Sequence, residues 1–240
     1  MVVSLLGLAS CTQGKPAGKY EVEHFTAHDG STIDITLIKH GSLEIRYGEL
    51  SIQVDPVEEY GRATDYAADF PKADYILVTH EHGDHFDPSA IQDLTDENTH
   101  LITNDRCAAS LGYGTVMANG DGLDLPEGIH IDAIPAYNTT EGHLNYHPQG
   151  RDNGFVLTLG GLRIYIAGDT EDIPEMAELK DIDVAFLPVN QPYTMTPEQC
   201  INAARMFSPK VLIPYHYGNT DISAIPAALP GIDVRIRQMQ

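Results

Sequence analysis

The chain has 240 residues, enough for one sizeable core, and 42% of them are hydrophobic, as in an ordinary globular protein. Its 14 Lys and Arg residues against 35 Asp and Glu give a formal charge of −21, so nucleic acid, whose phosphates are bound by cations, is not an expected partner. No segment contains the run of about 20 apolar residues that spans a bilayer.

The N-terminal segment predicts a processing signal. An apolar run from Val2 ends in LASC, which resembles the lipobox of bacterial lipoproteins, where the cysteine becomes lipidated. On this interpretation Cys11 is the lipidation site, residues 1–20 are a signal remnant and tether, and the protein is a periplasmic or outer-surface lipoprotein of the cell envelope. The run is short and no Lys or Arg precedes it, unlike a typical signal peptide, so a frayed apolar terminus of a cytoplasmic protein stays open.

The first half of the remaining chain predicts a meander followed by alternating strands and helices. TIDITLIKH, SLEIRY and LSIQVDP alternate apolar and polar residues between Ser31 and Asp55, which is typical of antiparallel strands. ADYILVTH predicts a buried strand, PSAIQDL a helix that begins at Pro88, and HLITN a short strand. Asp105 is expected to cap a helix that continues to about Leu111.

The second half continues this alternation. IHIDAIPAY predicts a strand, and GFVLTLGGLRIYIAGDT predicts a hairpin that turns at Gly160-Gly161. IDVAFLPV and KVLIPYHYGN predict buried strands, and between them Thr196 is expected to cap a helix that ends near Phe207. A short helix after Asp221 and the strand IDVRI follow. No internal repeat is visible, and two sheets flanked by helices are expected in one domain, residues 21–240.

The segment THEHGDHFDP contains an unusual density of metal-ligand side chains. Residues i and i+2 of an extended backbone point the same way, so His80 and His82 can bind one ion. Asp84 and His85 follow Gly83, whose conformational freedom permits a tight turn toward a second ion. Imidazole and carboxylate groups are zinc ligands, although a polar loop with incidental histidines is the alternative.

Three further residues with metal-ligand side chains lie at the ends of predicted strands. Asp169 follows LRIYIAG, His216 follows KVLIPY, and His147 precedes GFVLTL. Strand ends that gather at one edge of a sheet are where α/β proteins form their sites. Each residue alone is a weak signal, but together with the first segment they predict a metal site.

This pattern resembles the metallo-β-lactamase superfamily, with HxHxDH, a later His, Gly-Asp-Thr at a strand end and a late His. The segments AYN, HPQG, IYIAGDT, YTMT and IPYHYGN are similar to a bacterial branch of metal-dependent hydrolases related to the L-ascorbate 6-phosphate lactonases. The resemblance covers nearly the whole chain from about Ile33. It implies an α/β fold, a four-layer αββα sandwich with a binuclear metal centre between its sheets.

The resemblance also implies which residues bind the metals and what the metals do. The expected ions are two zinc ions, with manganese or iron as alternatives, and a hydroxide that both ions hold would attack the substrate. Asp84 is the expected catalytic residue, because it would orient this hydroxide. His143 lies close to His147 and is the alternative to it. The implied ligands are His80, His82 and His147 for metal one, Asp84, His85 and His216 for metal two, and Asp169 as the bridge.

The predicted function is hydrolysis of a small ester, lactone, amide or phosphoester. Tyr193 is the predicted substrate contact, and Asn138, Asn190 and Gln191 lie in similar loops, where stabilising the loop backbone is the alternative role. A non-catalytic metal-binding or sensor lipoprotein on the same fold is the alternative function. The enzyme is favoured because all implied ligands, Asp84 included, are present. The acidic charge disfavours a nuclease, and fold membership does not determine whether a β-lactam is the substrate.

Overall fold

The fold is described from a computed structural model, which describes residues 18–239 of the chain. Cys11 and the segment around it lie outside the described residues, so the lipidation site stays a prediction. Within residues 18–239, no helix has the length and apolar character needed to cross a membrane.

The first half of the chain forms a seven-stranded sheet whose strand order follows the sequence. Its first three pairings are antiparallel and its last three are parallel. The strands are β1 (Glu21–Thr26), β2 (Thr32–Lys39), β3 (Ser42–Tyr47), β4 (Leu50–Val54), β5 (Tyr75–Val78), β6 (His100–Thr103) and β7 (Thr115–Val116). The helices of this half are α1 (Tyr66–Asp69), α2 (Pro88–Leu94) and α3 (Asp105–Leu111).

The second half forms another seven-stranded sheet with the same sequence of three antiparallel and three parallel pairings. The chain therefore repeats one arrangement of strands, although no repeat is visible in its sequence. The strands are β8 (Gly122–Asp124), β9 (His130–Ala136), β10 (Asp152–Leu159), β11 (Leu162–Ile166), β12 (Val184–Pro188), β13 (Val211–Tyr215) and β14 (Asp233–Val234). The helices of this half are α4 (Pro197–Phe207) and α5 (Ile225–Ala228), with 3-10 turns at Pro126–Gly128 and Pro174–Glu178.

The two sheets pack face to face over an apolar core. Alternating residues of β2 and β3, such as Ile35 and Ile45, are buried in one cluster with Phe155, Leu157 and other residues of the second sheet. Helices cover the outer faces, because the buried residues of α2 and α3 cluster with β5 and those of α4 and α5 cluster with β11 to β13. The four-layer αββα sandwich predicted from the sequence is confirmed.

Local sequence explains most of the element boundaries. The hairpin of β10 and β11 turns at Gly160 and Gly161, whose φ angles of 54° and 85° are ones that residues other than glycine rarely adopt. At the start of α4, Thr196 accepts a hydrogen bond from the Gln199 amide at 3.1 Å, and the Thr196 amide donates to the Gln199 side chain at 2.8 Å. Both features match the sequence predictions.

Some boundaries differ from the sequence predictions. The cap of α3 is Asn104, whose side chain accepts the Cys107 amide at 3.0 Å, so the assignment of this role to Asp105 is wrong by one residue. Strand β1 was not predicted because most of its side chains are exposed and carry no apolar alternation. Strands β7 and β8 have only two and three residues, too few for a pattern.

We expect Thr196→Ala to lower the free energy of unfolding by about 1 kcal/mol, because the first turn of α4 loses a backbone partner. Urea denaturation would measure this change. Ser110→Ala, at an exposed position of α3, is the control, and a change within about 0.5 kcal/mol is expected there. Equal losses in the two variants would contradict the role of the cap.

Candidate metal centre

The THEHGDHFDP segment lies directly after β5 and folds into a turn. The amides of His85 and Phe86 donate to the carbonyl of His82, at 2.9 and 2.8 Å, and this turn separates the first pair of ligand-type residues from the second. Gly83 does not have the role expected from the sequence. Its φ lies outside the left-handed region, and a Cβ there would meet no atom within 4 Å, so the turn does not require a glycine.

A first cluster is formed by His80, His82, His147 and Asp169, which present ligand atoms within 4.8 Å of one another. The Nε2 atoms of His80 and His147 each lie 3.1 Å from Nδ1 of His82. The Oδ2 atom of Asp169 lies 3.4 Å from Nε2 of His147 and 3.9 Å from Nε2 of His80. Four donor atoms from three separate loops therefore converge on one point.

A second cluster is formed by His40, Asp84, His85 and His216. Oδ2 of Asp84 lies 3.2 Å from Nε2 of His40 and 3.5 Å from Nε2 of His216. His40 was not among the residues predicted from the sequence. It follows β2, and its ring lies against that of His216 with the centroids 3.7 Å apart.

Asp169 lies between the two clusters. Besides its contacts in the first cluster, its Oδ1 atom lies 3.2 Å from Nε2 of His85, and its Oδ2 atom lies 3.2 Å from Nε2 of His216. A carboxylate that reaches both sets of nitrogen atoms has the position of a bridging ligand. The structure thus brings all seven ligands implied by the resemblance into one region and adds His40 to them.

The donor atoms fit divalent cations. Buried polar atoms are normally hydrogen-bonded, yet Nε2 of His85, Oδ1 of Asp169 and both ring nitrogens of His216 have no hydrogen-bond partner among the described residues. A tetrahedral zinc site with Zn–N bonds of about 2.0–2.1 Å has donor atoms about 3.3 Å apart. The separations of 3.1–3.5 Å between most of these atoms match that spacing.

Asp55 orients ligands of both clusters. Its carboxylate is fully buried at the end of β4 and accepts a hydrogen bond from Nδ1 of His85 at 2.8 Å. It also accepts the hydroxyl of Thr79 at 2.7 Å, and that hydroxyl in turn lies 3.0 Å from Nδ1 of His80. Both imidazoles are therefore held with Nδ1 bonded to the protein and Nε2 turned toward the clusters, as in the carboxylate–histidine pairs of metal sites.

His147 is oriented in the same way by Asn138. The Asn138 side-chain oxygen accepts from Nδ1 of His147 at 2.8 Å, and its amide donates to the carbonyl of Tyr193 at 2.8 Å. Asn138 therefore supports a ligand and is not placed to bind substrate. His143, the alternative to His147, lies outside both clusters, with Nδ1 3.6 Å from Oε1 of Glu171.

Glu171 ties the loop that carries His147 to the end of β11. Its Oε2 atom accepts four hydrogen bonds of 2.7–2.8 Å, from the amides and hydroxyls of Thr139 and Thr140. Burial alone would raise the pKa of Glu171, but these bonds outweigh it and lower the pKa to about 2. The loop is thus held by a carboxylate that is ionised at neutral pH.

The electrostatics of the two clusters differ. Burial lowers the pKa of His147 to about 4 and holds that of His80 well below its ordinary value, so both are neutral and have a lone pair to offer. Burial also opposes charge on His85, but the carboxylates of Asp169 and Asp55 outweigh it and raise the pKa of His85 well above its ordinary value. A cation at the second cluster would therefore displace a proton from His85.

The residues missed by the sequence analysis share one signal. His40, Asp55 and Glu171 all lie at or just beyond the end of a strand, the criterion that singled out Asp169 and His216. A single His, Asp or Glu at such a position is ordinary, so the local sequence does not mark these three residues as part of a site.

The clusters lie at the bottom of a pocket of about 260 Å³. Tyr193, the predicted substrate contact, lies at its rim and is 44% exposed. Gln191 instead donates to the carbonyl of Thr194, within its own loop. A larger cavity of 550 Å³ next to Ile134 and Leu179 contains no residue of either cluster. The lining residues of the smaller pocket are Tyr60, His82, Asp84, Tyr146, His147, Asp169, Asn190, Tyr193 and His216.

Comparisons with known proteins identify the family of this chain. The beta-lactamase superfamily domain matches residues 34–216. A UPF0173 metal-dependent hydrolase from Pelotomaculum thermopropionicum is 31% identical over 196 residues, which cover 76% of this chain and 83% of that protein. Another from Symbiobacterium thermophilum is 32% identical over 219 residues, which cover 86% of this chain and 92% of that protein.

Solved structures give the same result. The crystal structure of a candidate metal-dependent hydrolase from Parabacteroides distasonis is 57% identical, with a TM-score of 0.89 over 92% of this chain and 100% of that one. Igni18, a metallo hydrolase from Ignicoccus hospitalis, has 24% identity and a TM-score of 0.71 over 86% of this chain and 95% of that one, a similarity of fold.

We expect Gly41→Ala to reduce the metal content of the purified protein. A Cβ at Gly41 would lie 2.6 Å from Cε1 and 2.9 Å from Nδ1 of His85, so the imidazole must move away from Asp55 and the second cluster. Elemental analysis would measure the loss, with circular dichroism as the check on folding. Gly83→Ala is the matched control and should keep its metal, since nothing surrounds that Cβ.

We expect Asp55→Asn to weaken metal binding by about 10–100-fold, because an amide places a donor where Thr79 and His85 both require an acceptor. Competition with a chromophoric chelator would measure the affinity. Asp105→Asn, a substitution of an exposed residue that belongs to neither cluster, should leave the affinity unchanged. Wild-type affinity in Asp55→Asn would show that the ligands do not depend on this carboxylate.

Proposed function

This chain belongs to the metallo-β-lactamase superfamily and to its metal-dependent hydrolases, and on that premise we propose that it cleaves a small ester, lactone, amide or phosphoester with water activated between the two clusters. The observation that carries the proposal is the position of Asp169, whose carboxylate reaches nitrogen atoms of both clusters. One carboxylate shared by two donor sets supports a site for two cations at a short separation.

The donors divide between the two positions as follows. His80, His82 and His147 would hold one cation, and Asp84, His85 and His216 the other, with Asp169 shared and His40 as a further donor on the second side. Two divalent cations bound there would lower the pKa of a water molecule and polarise the substrate's carbonyl or phosphoryl oxygen.

Asp84 is the residue of the second cluster best placed to orient the attacking water. Its side chain is 23% exposed and borders the pocket, whereas His85 and His216 are buried. Burial would raise the pKa of Asp84, but the imidazoles of His216 and His40 beside its carboxylate outweigh burial and hold the pKa well below its ordinary range. The carboxylate is therefore ionised at neutral pH and can accept a hydrogen bond from water.

Glu81 does not compete for this role. Its carboxylate pairs with Arg106 and lies 3.7 Å from Nε of Arg151, on the side of the segment away from the clusters. This position agrees with an extended backbone in which His80 and His82 point one way and the residue between them points the other. Asp84 is thus the acidic residue of this segment that borders the pocket.

The geometry favours the enzyme over the metal sensor that the sequence left as an alternative. A storage or sensor site needs ligands only, whereas this one opens through His82 and Asp84 into a pocket lined by side chains outside the clusters. Among the candidate substrates, the sequence resemblance to lactonases favours a lactone.

The test combines metal removal with one substitution. Protein stripped by a chelator and then reloaded with zinc, manganese or iron would be assayed on lactones, carboxylic esters, phosphodiesters and β-lactams. We expect activity only after reloading, and a loss of at least about 100-fold in Asp84→Asn, since a positioned general base contributes about 10²–10⁴.

His143→Gln is the matched control. It changes another polar side chain near the pocket that belongs to neither cluster, so metal content and activity should stay within about twofold of wild type. Full activity in metal-free protein, or in Asp84→Asn, would reject the proposal.

A further inference from the structure

Aromatic side chains flank the pocket on two sides. The ring of Tyr60 lies beside the second cluster, 4.5 Å from the ring of His40. Tyr146 and Tyr193 form an edge-to-face pair beside the first cluster, with their centroids 5.0 Å apart, and the Tyr193 carbonyl lies 3.2 Å from Nδ1 of His147. We call these three residues the tyrosine walls. A ligand over the clusters would therefore lie among three tyrosine side chains.

The polar groups of the walls are available to a ligand. Tyr146 and Tyr193 form hydrogen bonds through their backbone atoms, and among the described residues their hydroxyls have no partner. Asn190 likewise uses its backbone amide and carbonyl, toward Thr194 and Tyr193, and leaves its side-chain amide free beside the pocket. The two tyrosines and Asn190 therefore offer hydroxyl and amide groups to which a ligand can hydrogen-bond.

No lysine or arginine is among the residues that line the pocket in the described part of the chain. The lysine and arginine side chains near the pocket are paired with other groups of the protein. Arg151 forms a two-point pair with Asp152, at 2.7 and 2.8 Å, and Nζ of Lys39 donates to the carbonyls of Glu58 and Arg62, at 2.6 and 2.7 Å. Arg62 itself lies against the ring of Tyr20.

This lining discriminates against a second anionic group. Cations bound by the clusters would attract negative charge at the scissile bond, but a phosphate or carboxylate elsewhere on the substrate would lie against the tyrosine walls and Asn190. Such a group would lose hydration without gaining a charged partner, which is costly. The net charge of −21 adds a general repulsion of anions.

The pocket also limits size. Its volume of about 260 Å³ is below the about 300–1,000 Å³ of pockets for drug-sized ligands. Three tyrosines in the lining favour a ring-containing molecule, which can pack against an aromatic side chain while its carbonyl lies over the clusters.

We propose that the substrate is a small, uncharged, ring-containing lactone or ester that binds between the tyrosine walls and carries no phosphate or carboxylate away from the scissile bond. This inference rests on the proposed hydrolase function and narrows it. It excludes phosphorylated lactones, because the peripheral phosphate of such a molecule would find no cation in this lining.

Matched substrates test the inference. The zinc-loaded protein would be assayed on dihydrocoumarin and its 6-carboxylate, and on glucono-δ-lactone and its 6-phosphate, so that each pair differs in one remote anion. We expect kcat/KM to be at least about tenfold higher for the uncharged member of each pair. The difference should shrink as salt is added, because screening weakens the repulsion.

Substitutions in the lining provide the second arm. Asn190→Lys should raise the ratio of kcat/KM for the 6-carboxylate to kcat/KM for dihydrocoumarin at least about fivefold. Asn190→Met should leave this ratio unchanged, because Met is about as long as Lys but carries no charge. Tyr193→Ala should raise KM for dihydrocoumarin with little change in kcat, and Tyr193→Phe, which keeps the ring and loses only the hydroxyl, should raise KM by less. Metal content and circular dichroism of each variant would establish that site and fold are intact.

The outcomes separate the two proposals. Equal or faster hydrolysis of the anionic members would overturn the substrate class and leave the hydrolase intact. If Asn190→Lys does not change the preference for the uncharged substrate, the argument from charge in the pocket lining is wrong, and the hydrolase proposal is again unaffected. If neither member of any pair is hydrolysed by metal-loaded protein, and the esters and phosphodiesters are not hydrolysed either, then the hydrolase proposal and the substrate class both fail.

Discussion

The buried carboxylate of Asp169 is the group on which the rest of this site depends. It lies within 3.2–3.9 Å of imidazole nitrogens from four histidines that come from three different parts of the chain. Burying an ionised carboxylate is costly unless opposite charge lies beside it. His85 and His216 supply part of that charge in the absence of cations, since their pKa values are raised, and two cations would supply more. The strands around Asp169 therefore also place positive charge beside its carboxylate.

The surrounding hydrogen bonds show how the fold maintains this arrangement. Asp55, Asn138 and Glu171 do not belong to the clusters, yet each fixes a ligand or the loop that carries it. Each uses a side-chain oxygen to accept bonds from groups on a different strand end, so the loops are held to one another as well as to the sheets. Ligands that are held before a cation arrives keep their geometry, which lowers the cost of binding.

The site lies at the edge of the sandwich, where strands of both sheets end. Each sheet changes from antiparallel to parallel pairing at its centre, and the carboxyl ends of β4 and β5 in one sheet face those of β11 and β13 in the other. A buried strand that ends at a polar loop delivers one or two side chains, so several strands are needed to assemble the two clusters. The tyrosine walls come from the loops beyond these strand ends. Tyr60 and Tyr193 can therefore be aromatic residues although the ligands beneath them are His and Asp.

Local patterns of the sequence by itself predicted two sheets flanked by helices and the dense ligand segment, and the family resemblance added the four-layer αββα arrangement. Alternation predicted the meander from Ser31 to Asp55, glycines predicted the turn at 160–161, and spacing singled out His80, His82, Asp84 and His85. Asp169, His147 and His216 were each weak signals at the ends of predicted strands, and the resemblance supplied their division between two metals. Short or exposed strands such as β1 and β7 carry no pattern and were not predicted.

Only the tertiary structure decided how these residues meet. It placed His147 beside His82 and His143 beside Glu171, a choice between neighbours in sequence that depends on Asn138. It brought His40 next to His216, across 176 positions of the chain, and it showed that Gly41, unlike Gly83, lies against a residue of the clusters, His85. The physical reason is the same in each case: a metal site is formed by side chains distant in sequence, and their separations depend on the packing of the two sheets.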